Sequence, residues 1–219
     1  MIKPETFDFL KQLVENNNRD WFLDHKDLYE QARENVIGFA GQILTLLAKI
    51  DPMVNADNDP KKCVMRIYRD IRFSKDKTPY KNNFGINFKT GNGNAEIGYY
   101  LHIQPDASFA GGGYWMPPAD HLKFIRQEID YNGEALKAII NNASFTDTFS
   151  AFDQQEQLKN NPKGYEADHP NINLLKLKSY AAMHQLSDKE LMKKDAANNI
   201  AKLFAKVCPL NNFLHQALQ

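Results

Sequence analysis

Between Lys61 and Lys81 the chain reads KKCVMRIYRDIRFSKDKTPYK, with eight Lys or Arg against two carboxylates, Asp70 and Asp76. The whole chain is balanced at 27 basic and 27 acidic residues, so this one segment concentrates a positive field. Groups of this kind hold anions. An arginine fork grips a carboxylate or phosphate through two parallel N–H bonds, and a lysine acts as a point charge. The ligand-binding set predicted from the sequence is Arg66, Arg69, Arg72, Lys75, Lys77 and Lys81, with Tyr80 and Trp115 as aromatic walls.

Read as a strand, Cys63–Phe73 puts Cys63, Met65, Ile67, Ile71 and Phe73 on one face and Arg66, Tyr68, Asp70 and Arg72 on the other. Arg69 then falls on the apolar face. A guanidinium cannot shed its proton there, so it needs a carboxylate, carbonyl oxygens or a bound anion. Arg66 and Arg72 would lie roughly 20 Å apart along the strand, too far to clamp one small phosphate. They suit an extended anion, or each its own local network. Thr78 before Pro79 signals a single helical turn whose free amides, near Lys75, Lys77 and Lys81, would seat a phosphate. An ordinary charged loop is the plainer alternative.

For proton transfer the sequence offers Asp70 and His102, the latter alternating with Leu101 and Ile103 on a strand. The six histidines show no HxH, HExxH or i,i+4 pair, and Cys63 and Cys208 show no metal spacing, so no metal site is expected. No GxxxxGK[ST] or GxSxG occurs, and Gly91, Gly93 and Gly98 have the wrong spacing for a dinucleotide fingerprint. The sequence names no cofactor and no reaction. Gly111-Gly112-Gly113 permits close backbone approach or a bulge, beside Tyr114 and Trp115.

The elements that must position these groups read as helix, sheet, helix. Pro4–Glu15 predicts a first helix with Phe7, Leu10 and Val14 on one face. Leu28, Ala32, Val36, Phe39, Ile43, Leu47 and Ile50 predict one long helix over 20–50, bent near Gly38 or Gly41. Strands are expected at Cys63–Phe73, at Phe84–Phe88, at Ile97–Gln104 after a Thr90–Asn94 turn, and at Ser108–Trp115. Helices then open at Pro117-Pro118 and at Gly133. Leu174–Leu186 has scope for one added strand, and Ser187–Glu190 is a capping box ahead of a last helix. The reading is α+β: a mostly antiparallel central sheet with N- and C-terminal helices packed mainly on one face. It is a single domain over 1–219, helical at 1–50, sheet at 62–116 and helical at 117–219.

An apolar content of 42% with 25% charged residues is that of an ordinary soluble globular chain. No run of 18 apolar residues exists to span a bilayer, and MIKPETFDFL has no apolar export core. Two distant cysteines fit reduced thiols in the cytoplasm.

RIYRDIRFSKDKTPYK at 66–81 and NNNRDWFLDHKDLYE at 16–30 resemble a widespread, mainly bacterial family of conserved hypothetical proteins, domain of unknown function family 2461. HIQPDASFAGGGYWMP at 102–117 and KGYEADHPNINLLKLKSY at 163–180 resemble it too. The resemblance covers nearly the entire chain and implies a single cytoplasmic domain. It carries no catalytic residue to transfer.

Two functions stand. One is binding of an anionic small molecule, a nucleotide or a nucleic-acid end through 61–81, with duplex binding as a variant. The other is a non-catalytic interaction module whose arginines serve internal ion pairs. Residues 1–60 hold eleven carboxylates against six basic groups, so Asp20, Asp24, Asp27, Glu30 and Glu34 are the expected partners of Arg66, Arg69 and Arg72.

Overall fold

The computed structural model describes residues 1–91, 95–149, 152 and 157–219. Asn92, Gly93 and Asn94 of the expected hairpin turn lie outside the described residues. The order is α1 (Pro4–Glu15), α2 (Arg19–Asp24), α3 (Lys26–Leu47), α4 (Pro60–Cys63), β1 (Phe84–Lys89), β2 (Gly98–Ile103), β3 (Ser108–Tyr114), α5 (Ala119–Ile140), α6 (Ala143–Thr146), α7 (Ile172–Leu175), β4 (Tyr180–Leu186), α8 (Asp188–Leu191) and α9 (Ala196–Gln216). The four strands form one antiparallel sheet in the order β1-β2-β3-β4, and with these helices the fold is α+β. Among the described residues no helix is long and apolar enough to cross a membrane.

By its internal contacts the chain divides into two compact units: Met1–Phe88, Tyr100–Ala110 and Gln185–Lys202 form the first, and Lys89–Tyr99, Gly111–His184 and Leu203–Gln219 the second. In the first, Pro4 sets the opening turn of α1, and Asn35 Oδ1 accepts from the Lys3 amide at 2.8 Å and the Thr6 hydroxyl at 2.9 Å. The buried face of α1 is Phe7, Phe9, Leu10 and Leu13, whereas Val14, expected inside, is 56% exposed. The expected long helix is two. His25, at φ −116° and ψ 27°, ends α2, and its Nδ1 bonds the Trp21 carbonyl at 2.8 Å, so the ladder stops and α3 restarts. Gly41 of α3 lets Pro60 of α4 approach, its would-be Cβ 3.3 Å from the proline ring.

Cys63–Phe73 is not a strand. Pro60–Cys63 forms a helical turn capped by Asp59, and residues 64–80 contribute only the isolated bridges Val64↔Ile86 and Tyr68↔Tyr80. Carboxylates of the segment itself compete with a ladder. Asp70 Oδ1 takes the Arg72 amide at 3.3 Å and Asp76 Oδ1 the Thr78 amide at 2.9 Å, closing local turns. Strand β1 follows its expected period of two, with Phe84, Ile86 and Phe88 buried.

In the second unit the glycine run of β3 is a device for close approach. A Cβ on Gly111 would lie 1.9 Å from the Ala182 carbonyl oxygen, and one on Gly113 2.1 Å from that of Tyr180, with Gly113 also at φ +119°. Helix α5 is broken by a kink at Asn132 (φ −125°, ψ 31°), one residue before the second helix expected from Gly133. Of Leu174–Leu186, only Tyr180–Leu186 is strand; Ile172–Leu175 is helical. In the first unit the capping box forms at α8, with the Ser187 amide donating to Glu190 Oε2 at 2.8 Å.

Candidate functional site

The basic segment folds into two extended arms joined by a loop. Backbone bonds Arg69 N–H to Pro79 O (2.9 Å) and Lys81 N–H to Ile67 O (2.8 Å) hold the arms antiparallel, and Met65 N–H to Gly85 O (2.9 Å) ties the first arm to β1. Their seat is aromatic. The Phe22 ring stacks on Tyr80 at 4.0 Å and 14° and is tilted against Tyr29 at 5.1 Å and Tyr68 at 6.2 Å. Asn17 brackets the Tyr80 backbone, accepting its N–H at 3.1 Å and donating to its carbonyl at 3.0 Å. Tyr80 is thereby buried (5% exposed), a supporting ring rather than an open wall.

Arg69 does not sit on a buried strand face. It ion-pairs with Asp76, donates to the Thr78 hydroxyl and reaches the Thr78 carbonyl at 3.3 Å, with its side chain 26% exposed. Arg72 grips Asp70 through both oxygens, at 2.9 and 2.6 Å. Lys77 Nζ donates to the Ile71 carbonyl at 2.9 Å. The partners of Arg69 and Arg72 are thus carboxylates of the same segment, not the helix carboxylates Asp20, Asp24, Asp27, Glu30 or Glu34 expected from the sequence.

Three of the predicted cations remain. Among the described residues Arg66, Lys75 and Lys81 have no ion pair or side-chain hydrogen bond; Arg66 and Lys75 are exposed, and Lys81 is half-buried. Arg66 and Lys81 stand close enough to repel. Burial first, and the Arg66 charge second, push the Lys81 ammonium below its ordinary value. Tyr68, two residues from Arg66, is 52% exposed. Sequence reasoning missed the neighbour behind it. Arg33 reaches the Tyr29 hydroxyl, whose pKa burial raises and Arg33 pulls back, with Tyr68 raising it further. The i,i+4 spacing of Tyr29 and Arg33 on α3 was the available signal.

His102 stands on the half-exposed face of β2, opposite the fully buried Leu101 and Ile103. Its Nδ1 meets the Tyr100 hydroxyl at 3.1 Å and its Nε2 the Gln104 Oε1 at 3.0 Å, while Phe109 stacks on the ring at 4.7 Å. Burial lowers the His102 pKa, opposed by the Gln104 bond, so the neutral ring is favoured. Trp115 belongs to the second unit and is half exposed.

The described residues form cavities of about 910, 450 and 340 Å³ among others, and the linings of these three lie outside 61–81. The 910 Å³ cavity carries Glu5, Asp8, Glu30 and Glu34 against Lys3, between α1 and α3. No three His, Cys, Asp or Glu side chains among the described residues group as a metal centre.

The loop has a pH dependence of definite sign. The Thr78 amide first, then the Arg69 guanidinium, hold the Asp76 carboxyl down at about 2. A lowered carboxylate stabilises the loop above its unfolded value, and that support is lost as pH falls from about 4 through about 2. Acidification is expected to lower the protection of the Thr78 amide against exchange relative to its intrinsic rate, observed by NMR, and Asp76→Asn is expected to remove the step. An unchanged step in Asp76→Asn would assign it elsewhere.

A family model described as "Conserved hypothetical protein (DUF2461)" matches residues 5–213. The chain belongs to that family. No curated protein and no solved structure matches it. The DUF2461 match spans the basic arms, β2 with His102 and the glycine run of β3 alike.

Proposed function

We propose that this DUF2461 protein binds a phosphate-containing or other anionic ligand through the basic segment 61–81, with Arg66 and Lys81 at the centre of the site. One observation carries the reading: the half-buried Lys81 ammonium lies within reach of the Arg66 charge, and among the described residues neither side chain has an ion pair of its own, Asp70 near Arg66 being gripped by Arg72. A fold that keeps a half-buried ammonium beside a guanidinium accepts desolvation and repulsion, and a seated anion turns both into attraction. It would also raise the Lys81 pKa back toward 10.5, so binding takes up protons. Affinity therefore falls as pH rises past the lowered Lys81 value.

The test is thermal unfolding against phosphate, sulfate, pyrophosphate and mono- and dinucleotides. Ligand at about a hundred times its dissociation constant adds roughly 2.7 kcal/mol, which for a chain of this size raises the midpoint by about 5–10 °C. Arg66→Ala and Lys81→Ala are expected to abolish most of that rise. An equal rise in both variants would overturn the site, and no rise with any anion would overturn the function.

The second reading, a non-catalytic interaction module, is favoured by Arg69, Arg72 and Lys77, whose partners are internal. Those three side chains then shape the loop. A cytoplasmic location is supported by the sparse use of cysteine, two residues far apart in the sequence.

A further inference from the structure

Phe73 is 96% exposed at the loop that joins the two basic arms. Its one ring contact is the Arg72 guanidinium, 5.9 Å from the ring centroid. Water-facing phenylalanine on a floppy loop would carry little information, but this loop is clipped. Asp76 accepts the Thr78 amide and hydroxyl, Arg69 bonds both Asp76 and Thr78, Lys77 reaches back to the Ile71 carbonyl, and Arg72 pairs with Asp70. These bonds pre-organise the loop around a ring that packs on nothing in its own fold. On the adjoining arm Tyr68 is 52% exposed. Exposed aromatics and cations thus share the two arms and their loop: Arg66, Tyr68, Phe73 and Lys75, with the half-buried Lys81 on the returning arm.

The shape narrows the ligand. Small metabolites take concave sites that bury most of their surface, whereas Phe73 projects 96% exposed and Tyr68 is 52% exposed. An exposed hairpin suits a polymer that lies along it. In a duplex the base faces are already stacked and offer a projecting ring no partner, whereas each base of a single strand presents a free π-face. Deepening the anion reading above, on which this rests, we infer that the ligand is single-stranded nucleic acid, its bases stacking on Phe73 and Tyr68 and its phosphates contacting Arg66, Lys75 and Lys81.

Fluorescence anisotropy with labelled oligothymidine of about 20 nucleotides, against a duplex of equal length, tests it. Three phosphate contacts give a slope of log K against log salt of about −2 for single strands. Loss of one stacked base by Phe73→Ala weakens binding by about tenfold or more. The same substitution leaves the melting temperature unchanged, because the ring supports no packing, so a binding loss cannot be laid to misfolding. Equal or tighter duplex binding would overturn the inference. So would an unaffected Phe73→Ala variant, or capture of phosphatidylserine vesicles through Phe73 with no oligonucleotide binding. If oligothymidine fails while pyrophosphate still stabilises through Arg66 and Lys81, only this inference falls. If pyrophosphate fails as well, the anion reading falls with it.

Discussion

Gly111→Ala is expected to lower stability by about 3 kcal/mol or more, with a fall of roughly 6–12 °C in melting temperature. The added methyl would lie 1.9 Å from the Ala182 carbonyl oxygen and 3.0 Å from the Met183 Cα, so backbone rather than a flexible side chain must move. Separating β3 from β4 to make room breaks ladder bonds whose groups are then left unpaired. Gly113→Ala meets the Tyr180 carbonyl oxygen at 2.1 Å and adds the strain of an L-residue at φ +119°. Gly164→Ala is the control. At φ +94° with nothing within 4 Å, it carries conformational strain alone, about 1–2 kcal/mol. Urea denaturation of the three variants would rank them, and a Gly111→Ala loss no larger than that of Gly164→Ala would refute the close-approach account.

Phe22→Ala is expected to cost about 3–5 kcal/mol, the range for a large buried ring replaced by a methyl. Phe22 is 2% exposed and touches Tyr29, Tyr68 and Tyr80, so its removal hollows the seat of the basic arms. The effect reaches function. Tyr80 precedes Lys81 and pairs across the arms with Tyr68, so a loosened seat releases the register that sets Lys81 beside Arg66. Anion affinity should therefore fall with stability, unlike in Phe73→Ala, where only affinity moves. Denaturation and pyrophosphate titration on the same sample separate the cases. A stability loss under about 1 kcal/mol would remove Phe22 from this role.

What the sequence made legible follows from how local its causes are. The alternation Phe84, Ile86, Phe88 predicts β1 because one face is fully buried, and Ser187 with Glu190 predicts a helix start because the box closes on itself. His102 on the half-exposed face of β2 was readable from the same period of two. Cys63–Phe73 has that period as well, yet Asp70 and Asp76 bond amides two residues onward and Pro60 opens a helical turn. Short-range hydrogen bonding outweighed the pattern. The break at His25 escaped notice because the apolar spacing of α3 extends back across it. The partner of Arg69 proved to be Asp76, seven residues along, where the charge census of residues 1–60 pointed to a helix. The meeting of Arg66 and Lys81 was beyond sequence reasoning, since it depends on the register between two arms that are not a regular hairpin.

Calorimetric titration of pyrophosphate into wild type and into an Arg66→Ala/Lys81→Ala double variant tests the central claim most directly. The account predicts saturable one-site binding to wild type, weakening with rising pH, and its loss in a double variant that melts no earlier than wild type. Equal affinity in the two proteins, or no binding to wild type, would contradict it.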